Sequence, residues 1–247
     1  TFLYADLHAH LIAMPFVVFS VAWGMSFLFT RGKWSQNRRD NWVGFILSLL
    51  LGGLLIGALK PINTWDSYTF LLLNLFIIGY TGWRYMEPAK FVKNPKFGKA
   101  ITIAGLMLVL VVLSSVLYTP FNRNFHPGYS QLGFWTGDRT PLKSYFTHWG
   151  LLLFIVLFWY LWETYQWLAV TPLSALKKLE PRRRLLTVSG IVLLVLLIIL
   201  LLLKVSVAII VLPLCLWSLV LILKPDQSDA KRLAFFMIAT ALLETLV

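Results

Sequence analysis

The stretch ADLHAHLIAMPFVVFSVAWGMSFLF, residues 5–29, sets the problem of this chain. Its start, Asp6-x-His8-x-His10, has the spacing of a metallohydrolase strand, where alternate residues point the same way and reach one metal. The remainder, Leu11 to Phe29, is almost wholly apolar. Such a run is long enough to cross the ~30 Å hydrocarbon core as a helix at about 1.5 Å per residue.

Composition favours the helix. Of the 247 residues 59% are hydrophobic and only 13% are charged, against roughly 25% charged in a soluble domain. A water-soluble core of this length cannot bury so much apolar surface, so lipid must be the solvent for much of it. Eight apolar segments are expected as spans, at about 11–29, 42–59, 67–83, 100–118, 145–168, 185–203, 205–223 and 233–247. The fold class this predicts is all-α, a polytopic transmembrane helical bundle of about eight spans. All should be helices, because an open strand leaves its backbone unsatisfied in lipid. Only Lys204 separates the sixth and seventh segments; they read as a hairpin, with one broken helix as the alternative. No basic region precedes the first run, so it does not read as a signal peptide. The last run is 15 residues, short of the ~20 a span needs, and the chain is expected to be a fragment of a larger protein.

Charge then assigns sides. The net charge is +12, and seventeen of the 22 basic residues fall in alternate loops, 30–41, 84–99, 171–184 and 224–232. The positive-inside rule makes those loops cytoplasmic. The excess charge is thereby topological, with a share for anionic headgroups, and no nucleic-acid partner is expected. Trp34, Trp42, Trp83 and Trp167 fall near the inner boundary, and Trp65, Trp135 and Trp149 near the outer one, as interfacial rings should. Thr140-Pro141 reads as a helix start, with Thr capping and Pro in the first turn. Thr171-Pro172 reads as a helix stop. Gly53-x-x-x-Gly57 reads either as a close-approach motif or as ordinary membrane glycine. The lone cysteine, Cys215, excludes an internal disulfide.

The same sidedness sorts the chemistry. All four histidines, His8, His10, His126 and His148, fall on the outer side, with Asp6, Asp66 and Asp138. Acid–base or metal capacity therefore collects there. Three stretches supply it: Asp6 to His10, Asn63-Thr64-Trp65-Asp66, and the outer loop 119–144 with Arg139 and Lys143, continued by His148. If 6–10 is extended, Asp6, His8 and His10 can share a divalent metal; if it is helical, only Asp6 and His10 share a face. Asp66 reads equally as a helix-start residue favoured by the N-terminal dipole. His126-Pro127-Gly128 reads as a turn. Within the spans, Glu163 sits toward an inner end and Glu244 near the middle of the last span, where an acid should face a bundle interior. Asn74 and Lys204 are weaker candidates.

The motifs ADLHAH (5–10), NTWD (63–66) and RTPLKSYFTHWGLLLF (139–154), in that order, resemble the Chlor-Arch-YYY family of prokaryotic polytopic membrane proteins, a domain of unknown function. Its members look larger, continuing past Val247 with an R-M-N-T-x-F-K-like stretch. Its architecture looks like that of multi-span glycosyltransferases that use lipid-linked sugars. The resemblance implies Asp6 as base, Asp66 as a second acid or metal ligand, and Arg139 or Lys143 on a polyprenyl phosphate. Asn63, Trp65 and His148 are further expected substrate contacts, and His8 and His10 join Asp6 as catalytic or metal-binding candidates. The strand-borne hydrolase reading fails, because no alternating strand pattern comes after it. The alternative function is a non-catalytic transmembrane subunit of a larger membrane complex, such as a bioenergetic one, with other membrane subunits as partners. A transporter ranks third, since no repeat and few midplane polar residues occur.

Overall fold

The structure, a computed structural model, describes residues 9–30, 42–89, 92–125, 139–172, 174 and 180–246. Among these residues it has nine α-helices, one short 3-10 turn (Glu180–Arg182) and no strand. The helices are α1 (Ala9–Phe29), α2 (Trp42–Ile62), α3 (Thr64–Tyr85), α4 (Pro95–Val116), α5 (Thr119–Asn124), α6 (Leu142–Val170), α7 (Arg183–Leu202), α8 (Ala208–Leu223) and α9 (Asp229–Glu244). Four described helices are long and apolar enough to cross a membrane: α1 over Leu11–Phe29, α2, α4 and α6. Helices α7 and α8 are apolar but shorter, over Thr187–Leu202 and Ala208–Leu223. The chain divides into two compact units, residues 1–130 and 131–247.

In the first unit α1 to α4 pack together, and α3 touches the other three. The core joins Trp23 and Phe27 of α1, Leu49 and Ile56 of α2, Ile78 of α3 and Leu110 of α4. Lipid tails are as apolar as these side chains, so close packing and interhelical hydrogen bonds must supply specificity. Both are visible. The indole Nε1 of Trp23 donates to the Ser48 carbonyl at 2.8 Å. The Gly53-x-x-x-Gly57 pair is a close-approach motif: a Cβ on Gly57 would lie 2.6 Å from the Ser114 carbonyl oxygen, and one on Gly53 would lie 2.6 Å from Leu113 Cβ. Helix α4 therefore lies directly on the bare backbone of α2.

Helix α3 is the most polar of the four. It spans 22 residues, yet it is not among the helices apolar enough to cross alone. Its polar residues Ser67, Asn74 and Thr81 are buried against its neighbours. Asn74, a weak candidate by sequence, is fully buried; its Nδ2 donates to Ser20 Oγ of α1 at 3.0 Å and to the Phe70 carbonyl at 2.8 Å. Its Oδ1 makes no hydrogen bond and occupies space that a Cβ on Gly24 would need. Ser20 and Gly24, one turn apart, thus form a small-residue notch that the Asn74 amide fills.

In the second unit α6, α8 and α9 share the core. Phe235 of α9 is fully buried, stacked on Trp159 at 4.5 Å and edge-on to Tyr160 at 5.5 Å. Tyr160 also hydrogen-bonds Ser218 of α8. Helix α7 has no buried residue among those whose side chains are described. The 185–223 region is two helices, α7 and α8, broken at Lys204. Lys204 takes φ 61°; Val205 N–H bonds the Leu200 carbonyl and Lys204 N–H the Leu201 carbonyl. That is a Schellman stop, with lysine where glycine is usual.

The structure differs from the sequence reading at two helix features and at Glu244. Helix α6 begins at Leu142 with Pro141 as its N-cap and no side-chain cap. Pro141 thus lies one step earlier than the first turn expected for it, and Thr140 does not cap. The stop at Thr171 stands, with its hydroxyl on the Trp167 carbonyl at 2.6 Å. Glu163, toward the inner end of its span, is buried in α6 and paired with Lys231 of α9 at 2.5 Å. Glu244 is exposed at the end of α9 rather than facing an interior.

Candidate functional site

Asp6 and His8 lie outside the described residues, as do His126 and Asp138. His10 is in the first turn of α1. Among the described residues no three His, Cys, Asp or Glu side chains gather to hold a metal. Two of the three residues that could share a metal if 6–10 is extended, Asp6 and His8, thus fall outside the described residues.

The NTWD stretch is described in full, at the turn from α2 to α3. Helix α2 runs through Pro61 to Ile62, and Asn63 takes extended angles, φ −151° and ψ 106°, before α3 begins at Thr64. Its N–H still reaches the Leu59 carbonyl at 2.6 Å, which ties the turn to the end of α2. Its Oδ1 accepts from Trp65 N–H at 3.3 Å, the normal duty of an N-cap. Its Nδ2 donates to Asp66 Oδ2 at 2.8 Å. Asn63 is buried, and the half-exposed Trp65 stands beside it. Asp66, in the first turn, also meets the positive end of the α3 dipole. The sequence offered Asp66 as a catalytic acid or as a helix-start group; it stands in the first turn of α3 with one carboxylate oxygen held by the Asn63 amide. Asn63 spends both ends of its amide on the chain itself.

The second stretch opens α6 in the other unit. Arg139 and Lys143 are exposed, one before and one inside the first turn. His148 is exposed, with Nδ1 at 2.9 Å from the Ser144 carbonyl one turn back. Tyr145, between them, is buried and hydrogen-bonded to Thr245 at 3.0 Å. The exposed cations at this helix start suit an anion through charge and through the unbonded N–H groups of a first turn without a side-chain cap.

Sequence reasoning missed one polar centre, the Glu163–Lys231 pair. Those residues are 68 positions apart, and each alone reads as a boundary residue. Lys231 and its neighbour Arg232 have only a topological role in the charge pattern. Arg232 in fact gives hydrogen bonds to four carbonyls, of Ile222, Lys224, Pro225 and Gln227, between 2.7 and 3.1 Å. It closes the C-terminal end of α8, whose last carbonyls have no partner within the helix.

Apolar helices with lipid-facing surfaces, polar groups turned onto one another and no described strand define an integral helical membrane protein. The chain belongs to the family described as uncharacterized membrane protein (DUF2298), which matches residues 1–247. No curated protein matches it. No solved structure matches it either.

Proposed function

We propose that the chain forms the membrane region of a glycosyltransferase-like protein that draws sugar from a polyprenyl-phosphate carrier at the outer face of a prokaryotic plasma membrane. In this reading Asp6 is the general base, aided by His8 and His10, and Asp66 is the second acid. Arg139 and Lys143 hold phosphate, and Trp65 and His148 line the substrate. The observation that carries it is the Asp66 carboxylate, fixed at 2.8 Å by the Asn63 amide beside an exposed tryptophan. A general base or acid must be held within hydrogen-bond reach of its proton, and a carboxylate with a fixed rotamer meets that need. Exposed Arg and Lys at the start of a membrane helix suit a phosphate at the headgroup level. The test is transfer from polyprenyl-phosphate-linked sugars by the full-length protein in proteoliposomes. Asp6→Asn should lower transfer by roughly a hundredfold or more, and Asp66→Asn should also lower it, with both variants folded. Transfer equal to wild type in both contradicts the reading.

A second reading has its own observation. Asn63 and Asp66 bond each other across the first turn of α3, which is a sufficient structural task. A non-catalytic transmembrane subunit would need them for that alone. Stoichiometric co-purification with other membrane subunits, without turnover of any carrier-linked sugar, would favour this reading.

A further inference from the structure

Helix α6 buries one face and leaves the other open. Leu153, Tyr160 and Glu163 mark the buried face. On the opposite face Phe154, Phe158, Trp162 and Tyr165 are all exposed. At about 100° per residue these four fall within about 80° of arc. Phe154 and Phe158 stack with ring centroids 6.4 Å apart, and the rings of Trp162 and Tyr165 lie 6.2 Å apart. Together they make one aromatic stripe. Lys143, also exposed, stands at its head: Lys143, Phe154 and Tyr165 recur at intervals of eleven residues, close to three helical turns.

Neither interfacial anchoring nor contact with bulk lipid accounts for this stripe. Aromatic belts sit at the two membrane boundaries, but Phe154 and Phe158 flank Val156, the middle of the 29-residue helix. Bulk lipid asks only for aliphatic residues, as the same unit shows. Helix α7 has no buried residue among those whose side chains are described, and no aromatic residue anywhere along it. The cations at the head are equally unexplained by topology. Arg139 and Lys143 lie outside the four loops that hold seventeen of the 22 basic residues.

The combination fits a long amphiphile with a negative head. Exposed Arg139 and Lys143 suit a phosphate, and flat rings offer an unsaturated chain broad dispersion contact. Length then selects the lipid. A phospholipid held by its phosphate at Lys143 carries its tails to the midplane, about half of the ~30 Å core. Trp162 and Tyr165 lie about 28 and 33 Å of helix rise from Lys143, in the far half. A longer chain is needed to reach them from that end.

We propose that the Phe154–Tyr165 stripe of α6 seats the polyprenyl chain of a polyprenyl phosphate whose head rests at Arg139 and Lys143. This rests on the reading of those two cations as phosphate holders, and it adds the element that selects the carrier from the surrounding phospholipid.

The test replaces Leu161, exposed on the same face between Phe158 and Trp162, with the photoreactive p-benzoylphenylalanine. Val195 of α7, also exposed, is replaced in the same way in a control chain. The full-length protein is placed in vesicles of phosphatidylglycerol with a minor share of polyprenyl phosphate and irradiated, and the adducts are identified by mass. At the Leu161 position polyprenyl phosphate should be captured about tenfold above its share of the lipid, and at the Val195 position in proportion to that share. Phe154→Leu, Phe158→Leu and Trp162→Leu together keep the face apolar and should bring capture at the Leu161 position down to that share. Arg139→Gln with Lys143→Gln should do the same. Capture at the Leu161 position in proportion to the lipid mixture, capture there of another protein segment, or enrichment that survives either set of substitutions overturns the proposal. Enrichment without any sugar transfer supports the seat and contradicts the transfer reading; transfer without enrichment overturns the seat alone.

Discussion

Replacing Asn74 by alanine isolates the bond that keeps α3 in the first unit. The Asn74 amide is fully buried and donates to Ser20 Oγ of α1 at 3.0 Å. Interhelical hydrogen bonds in membranes average about 0.6 kcal/mol and reach about 1.7. Two further costs add to the truncation. The shortened side chain leaves a void beside Gly24, and Ser20, itself fully buried, loses its partner. The Ser20 hydroxyl can turn to its own helix, so its share is at the low end of the roughly 1–3 kcal/mol for an unmet buried group. Asn74→Ala should therefore cost about 1.5–3 kcal/mol in total. The assay is reversible unfolding in mixed micelles of rising sodium dodecyl sulfate fraction, run as a double-mutant cycle with Ser20→Ala. The cycle cancels the void and leaves the pair, for which about 0.6–1.7 kcal/mol of coupling is expected. A coupling near zero would refute the idea that this bond holds α3.

Three further outcomes concern single positions. Gly57→Ala puts a Cβ 2.6 Å from the Ser114 carbonyl, whereas Gly44→Ala meets nothing within 4 Å; the first should cost about 1–3 kcal/mol and the second nothing measurable in the same unfolding assay. Lys204→Gly relieves a left-handed residue at φ 61° and should stabilise the second unit by about 1 kcal/mol. Arg232→Lys keeps the charge but loses the planar fork that meets four carbonyls; it should destabilise by about 1–2 kcal/mol, seen as faster amide exchange in the last turn of α8.

The helices were legible because long apolar runs have few other readings. The runs at 42–59 and 145–168 stand inside α2 and α6, and Thr171-Pro172 marks the stop of α6. The Gly53–Gly57 notch was legible as a spacing, but only the structure decides that α4 fills it. Partners distant in sequence were not legible. Asn74 and Glu163 read as isolated polar residues because Ser20 is 54 positions away and Lys231 is 68 away. Glu244 read as an interior acid from its place near the middle of the last apolar run, whereas it is exposed at the end of α9. Lys231 and Arg232 obey the positive-inside pattern, which masks their bonds. For the candidate site, NTWD was legible as a group, while the use of the Asn63 amide on both Trp65 and Asp66 depends on backbone angles at one residue.

Labour in the first four helices and α6 is divided: α1, α2, α4 and α6 are long and apolar enough to cross by themselves, and α3 is carried by bonds to its neighbours. The most direct measurement is the inserted fraction of each helix, one at a time, in a translocon reporter cassette, then of α3 with α1 and α2 ahead of it. The four apolar helices should insert almost fully alone. Helix α3 should insert poorly alone, well once α1 precedes it, and poorly again with Ser20→Ala in α1, which takes away the partner of the Asn74 amide. Efficient insertion of α3 as an isolated segment would contradict this division.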